Sequence, residues 1–136
     1  MKKLFSAKYS AGAVSAAMLL LRLAVGILMM NHGYDKLVHF SKYQDEFINF
    51  MGMGKTLSLA LVVFAEFFCS LFLILGLFTR LATIPLIITM CVIIFKVNHG
   101  DMMGQGGELP SLFLTAYLTL LLVGPGRVSV DSMIGK

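Results

Sequence analysis

The stretch from Ala13 to Lys36 constrains this chain more than any other part of it. It is apolar over a membrane-spanning length, yet it carries Arg22 near its middle and ends Asn31-His32-Gly33-Tyr34-Asp35-Lys36. At the helical repeat, Arg22, Gly26, Met29, Gly33 and Lys36 fall on one stripe down one face. An arginine in hydrocarbon costs about 2.5–3.5 kcal/mol on insertion scales, so this face is expected to look inward at a partner rather than outward at lipid.

The rest of the composition agrees with a membrane setting. Of 136 residues, 58% are hydrophobic and 13% charged, with mean hydropathy +0.88. Soluble domains carry about 25% charged residues, so this chain lacks the polar groups to cover a globular surface. It reads as one integral membrane domain over residues 1–136. The formal charge of +4 does not point to nucleic acid, because no basic cluster is longer than Lys2-Lys3. Cys69 and Cys91 both lie inside apolar runs, which argues against a disulfide framework and a dithiol catalyst. Arg22 also sits where a cleavable signal should be uncharged, so the first segment reads as a retained helix.

Four apolar segments are predicted as spans, at roughly 13–33, 56–78, 80–98 and 109–124. Only Thr79-Arg80 separates the second from the third, which demands a tight antiparallel hairpin. Thr79 is expected to cap the third helix, and Pro110 to sit in the first turn of the fourth. The fold class is therefore all-α: a four-helix antiparallel membrane bundle. In the first outer loop, Leu37, Phe40, Tyr43, Phe47, Ile48 and Met51 repeat at helical spacing, which predicts a short amphipathic helix on the membrane surface.

Lys and Arg set the orientation. Lys2, Lys3, Lys8, Arg80, Arg127 and Lys136 fall on the side of the termini, against Lys36, Lys42, Lys55 and Lys96 on the other. The positive-inside rule then places both termini in the cytoplasm. A faint echo accompanies this: Asn31-His32-Gly33 and Asn98-His99-Gly100 close the first and third segments, as two parallel hairpin repeats would.

Glu66 is the one acid inside an apolar span, at a depth expected to overlap that of Arg22. An Arg22–Glu66 ion pair is the economical expectation, either fixing helix register or handling a proton or ligand. His32 and His99 form a second constellation near the outer interface, with Lys36, Lys96, Asp101 and Glu108 close in sequence. Such groups can line a quinone headgroup site or bond to loop carbonyls. No clustered His or Cys motif accompanies them, and no metal site is assigned. The glycine-rich loop 100–108 matches neither a phosphate loop nor a dinucleotide fingerprint.

Several of these pieces, in this order, resemble the DoxX family of small bacterial membrane proteins. They are Arg22-x3-Gly26, Gly33-x2-Lys36-Leu37, Glu66, Leu75-Gly76-Leu77-x2-Arg80, His99, Glu108 and Gly124-Pro125-Gly126-Arg127-x-Ser129-x-Asp131. Cys69-Ser70 departs from the small glycine-like residues typical after the glutamate. The resemblance implies a four-helix protein of the bacterial inner membrane, often called an oxidoreductase. Its name is shared with a subunit of a thiosulfate:quinone oxidoreductase, and some relatives are linked to oxidative-stress complexes.

The leading expectation is a small quinone-interacting redox protein or subunit. Arg22 and Glu66 would form its buried polar core, with His32, Lys36, His99 and Glu108 lining an outward-facing mouth; His32, His99 and Glu108 are the candidate catalytic groups. Gly26, Gly33, Arg80, Gly124, Pro125, Gly126, Arg127 and Asp131 are expected to hold the fold. The chain carries no haem pair, cluster ligands or flavin fold, so electrons would come from a redox partner or from quinol. The alternative is a non-enzymatic scaffold or assembly subunit, and a small transporter ranks third. Expected partners are the lipid bilayer, a quinone, other redox proteins and a further copy of the chain, but no nucleic acid.

Overall fold

A computed structural model describes residues 5–42, 54–97, 100–104 and 106–135. Helix α1 runs Ala11–Val38, opened by Ser10, whose hydroxyl accepts from the Ala13 amide at 3.1 Å. Helix α2 covers Lys55–Leu75 and contains a π-helical turn, Phe64–Cys69. Helix α3 starts at Thr79, is α-helical to Val92 and finishes in a second π turn, Ile93–Val97. Helix α4 is Glu108–Val123, and a short α5 follows at Val130–Gly135. Among the described residues there is no strand.

Three stretches, Ala11–Val38, Lys55–Leu75 and Thr79–Lys96, are long and apolar enough to cross a membrane, while Glu108–Val123 is a shorter apolar helix. Several of their hydroxyls bond back to their own helix, as apolar surroundings favour. Thr89 donates to the Pro85 carbonyl at 2.8 Å, and Thr115 and Thr119 each donate one turn back at 2.9 Å. Pro110 lies in the first turn of α4, where its missing N–H is no loss.

The predicted stripe on α1 is the face that packs. Met18, Arg22, Val25, Gly26, Met29 and Gly33 are its buried residues. α1 and α2 run antiparallel, with Gly26 against Ser70 and Ile74, and Gly33 against Glu66 and Phe67. A Cβ on Gly33 would lie 2.6 Å from the Phe67 amide nitrogen and 2.8 Å from the Glu66 carbonyl carbon. Glycine is therefore what lets α1 lie directly on the π turn. The core that results joins Val25, Met29, Cys69, Leu73, Leu86 and Tyr117, among others.

The α2–α3 turn differs from the expected Thr79 cap. α2 closes on Gly76 in the left-handed region (φ +74°), with Leu77 N–H donating to Phe72 O at 2.9 Å and Gly76 N–H to Leu73 O at 3.1 Å. This is the Schellman pattern that ends many helices. The N-cap position of α3 is Phe78, itself left-handed at φ +50°, and it has no side-chain oxygen to offer. Thr79 lies one position too late to cap, and its hydroxyl has no hydrogen-bond partner among the described residues. The cap comes instead from Asp131, whose two carboxylate oxygens accept the Phe78 amide at 2.7 Å and the Thr79 amide at 2.8 Å.

The amphipathic stretch predicted for the first outer loop falls largely on residues 43–51, outside the described residues. Leu37, its first member, belongs to α1, and residues 40–42 are helical after a turn at His39.

Candidate functional site

Among the described residues, Lys36 and Glu66 form the one ion pair of the interior. Lys36 stands in the last turn of α1 and reaches Glu66 Oε1 at 2.7 Å. The Glu66 side chain is 2% exposed and that of Lys36 22%, so the carboxylate is enclosed while the ammonium keeps a path outward. Glu66 lies in the π turn of α2, directly opposite Gly33. Single π turns inside α-helices are rare and frequent at functional positions. Here the turn presents Glu66 to α1 because Gly33 leaves room for the backbone.

Tyr117 of α4 lies in the same core. It is fully buried, its hydroxyl has no hydrogen-bond partner among the described residues, and it lies within electrostatic reach of Glu66 and Cys69. Phe113 stacks on Tyr117 at 6.0 Å, and the exposed His32 ring meets Phe113 edge-on at 6.4 Å. An aromatic run thus leads from the surface at His32 through Phe113 to Tyr117. Leaving a buried hydroxyl unpaired costs about 1–3 kcal/mol, so its position calls for an explanation beyond packing.

The expected Arg22–Glu66 pair does not form. Gly33, which faces Glu66, lies three turns beyond Arg22, or ~16 Å along the helix. Arg22 instead lies fully buried against the C-terminal end of α2. Its Nη1 donates to Leu73 O at 3.2 Å and Ile74 O at 3.5 Å, and Nη2 donates to Val128 O. Leu73 O and Ile74 O belong to the last turn of α2, where Leu73 O also accepts the Gly76 amide. A cation there faces the negative end of the helix dipole, while Val128 O comes from the turn ahead of α5. Depth counted from apolar-segment ends missed this, because α2 stops at Leu75.

Arg22 and Asp131 together cap the two helix ends that meet at Gly76–Phe78, a cation on the outgoing end and an anion on the incoming one. Ser129 caps α5 by accepting the Ser132 amide at 3.1 Å, and the Asp131 amide donates to Gly76 O at 2.8 Å. Burial pushes the Asp131 carboxyl up. The Thr79 amide, the nearby Thr79 hydroxyl, which lies outside strict hydrogen-bond geometry, the Phe78 amide and the Arg22 charge outweigh it, holding Asp131 below its ordinary value. A Cβ on Gly76 would collide with Arg22 and Ser129, so this turn needs glycine for space as well as for φ.

The remaining site candidates make no contact with the ion pair among the described residues. Glu108 is exposed in the first turn of α4, and His99 lies outside the described residues. Arg80 donates to Val123 O at 3.3 Å beside Gly124, and the Arg127 amide donates to the Ser15 hydroxyl at 3.2 Å, joining the Pro125-Gly126 turn to the start of α1. Tyr117 was the residue that sequence reasoning passed over. Its signal was present, since a phenol inside an apolar span has a polar end that needs a partner.

Helices that are apolar outside, polar where they face one another and stitched by a buried ion pair define a multi-pass helical membrane protein. The chain belongs to the DoxX family, whose pattern matches residues 17–99, more than half of its length. That match takes in Arg22, Gly33, Lys36, Glu66 and Arg80, and ends before Glu108 and the Gly124–Asp131 segment. Comparison with curated proteins and with solved structures gives no match.

Proposed function

We propose that this DoxX protein receives a carbonyl-bearing ligand of the lipid phase, a quinone headgroup, at the Lys36–Glu66 pair. One observation carries the reading. An ammonium and a carboxylate are held 2.7 Å apart with the ammonium part-exposed, and the Tyr117 hydroxyl, without a hydrogen-bond partner among the described residues, lies within electrostatic reach of the carboxylate. A quinone carbonyl accepts from an ammonium or a phenol, and a neighbouring carboxylate holds or passes the proton that accompanies reduction. His32 stands at the outer end of the aromatic run, and His99 and Glu108 belong to the same proposed mouth. Electrons come from quinol or from a redox partner protein.

In this reading Glu108–Val123 is the fourth span of an antiparallel bundle in the bacterial inner membrane. Both termini are cytoplasmic, and an amphipathic helix lies on the outer surface between α1 and α2. Quinone titration and co-purification test the ligand. Wild-type protein is expected to bind, with binding weakened by Lys36→Met, Tyr117→Phe and His99→Ala. Absence of bound or titratable quinone in the wild type overturns it.

A second reading is favoured by the Arg22 site, where among the described residues the guanidinium bonds only to backbone carbonyls and thus serves structure. On that reading the protein is a non-enzymatic assembly subunit of an oxidative-stress complex. Glu66→Gln with Arg22→Gln would then cost stability and leave every ligand titration unchanged.

A further inference from the structure

We propose that the cavity between the start of α3, the Pro125–Arg127 turn and α5 binds the headgroup of an anionic phospholipid. The cavity holds about 610 Å³ and combines two arginines, Arg80 and Arg127, with an apolar wall of Phe78, Leu81 and Ile134. Those three apolar side chains are 57%, 66% and 69% exposed, which is what an acyl or glycerol contact needs.

The arginines are available. Arg127 is exposed, and its side chain makes no hydrogen bond or ion pair among the described residues. Arg80 spends one donor on Val123 O at 3.3 Å and has no other partner there. A guanidinium carries five donors in a planar fork suited to phosphate oxygens. The acid at the cavity, Asp131, does not cancel them. Its two oxygens are turned onto the Phe78 and Thr79 amides, and Arg22 lies behind it.

Position argues for lipid over a soluble anion. Ser15 near the start of α1 lines the same cavity as the first turn of α3 and the turn that follows α4. Helix ends gather at this level, so it is where hydrocarbon gives way to headgroups. On the orientation proposed above it faces the cytoplasmic leaflet, whose anionic lipids attract basic groups. Free phosphate has the same charge chemistry but no use for the apolar wall.

The test is native mass spectrometry of the full chain with equimolar phosphatidylglycerol and phosphatidylcholine, alongside thermal unfolding in detergent with added inorganic phosphate. Wild type is expected to retain phosphatidylglycerol over phosphatidylcholine. Arg127→Gln is expected to cut that preference roughly fivefold, the factor one basic side chain contributes near an anionic surface, and Arg127→Lys to keep most of it. Inorganic phosphate is expected to leave the unfolding temperature unchanged. Equal retention of the two lipids by the wild type, or an undiminished preference in Arg127→Gln, overturns the proposal. So does stabilisation by inorganic phosphate matching that by phosphatidylglycerol, which would assign the cavity to a free anion.

Discussion

At the residue scale, the molecule solves two buried-charge problems by different means. Glu66 is neutralised by a full charge on Lys36, whereas Arg22 is neutralised by carbonyl dipoles and by the more distant Asp131. Removing one member of a buried ion pair strands the other. Lys36→Met is therefore expected to cost about 3 kcal/mol, at the low end for such pairs because Lys36 is part-exposed. Lys36→Met with Glu66→Met should recover much of that loss, since no charge is left behind. Reversible unfolding in mixed micelles of both variants checks this, and additive losses would show that the pair is not coupled. Asp131 makes a separate prediction. Its carboxyl is held below the ordinary value, so ionisation favours the fold: the contribution is present above about pH 4 and fades as pH falls through the lowered value. Asp131→Asn should lower stability at neutral pH, with the variant and wild-type curves converging on acidification. A constant gap between them at every pH would refute the electrostatic account.

At the scale of elements, Gly33 and the π turn Phe64–Cys69 act as one device. The turn pushes Glu66 towards α1, and the missing Cβ admits it. Gly33→Val should force the two helices apart, costing about 1–3 kcal/mol as overpacking does. It should also lengthen the Lys36–Glu66 contact, read as a loss of coupling in the same double-variant cycle. A wild-type coupling energy in the Gly33→Val background would mean that the close approach does not set the pair. The sequence carried half of this device openly. Periodicity placed Arg22, Gly26, Gly33 and Lys36 on one face, and that face is the packed one. The partner of each charge was not legible, because it depends on where α2 ends and on a π turn that shifts its register. No composition or spacing rule announces a π turn. The Asp131 cap was hidden for a related reason: it bridges residues 52 and 53 apart in sequence, and only the fold brings them together.

For the whole molecule, the ends of the helices divide the polar chemistry into two levels. One level holds Arg22, Asp131, Arg80 and Arg127 around the α2–α3 turn; the other holds Lys36, Glu66 and Tyr117 towards the far end of α1. If the first level faces the cytoplasm, as the distribution of Lys and Arg implies, the ion pair sits nearer the outer leaflet and the basic cavity nearer the inner one. A reagent that does not cross the membrane distinguishes the two sides. The native thiols are first removed by Cys69→Ser and Cys91→Ser. A cysteine at Ser132, beside Asp131 on α5, should then be modified only after the membrane is opened. A cysteine at Lys42, exposed beyond the end of α1, should be modified in intact cells. The reverse labelling would invert the molecule. It would place the Arg80–Arg127 cavity in the outer leaflet and the Lys36–Glu66 pair close to cytoplasmic proton sources. The internal geometry would remain as described, but the proposed quinone site would exchange protons with the opposite compartment.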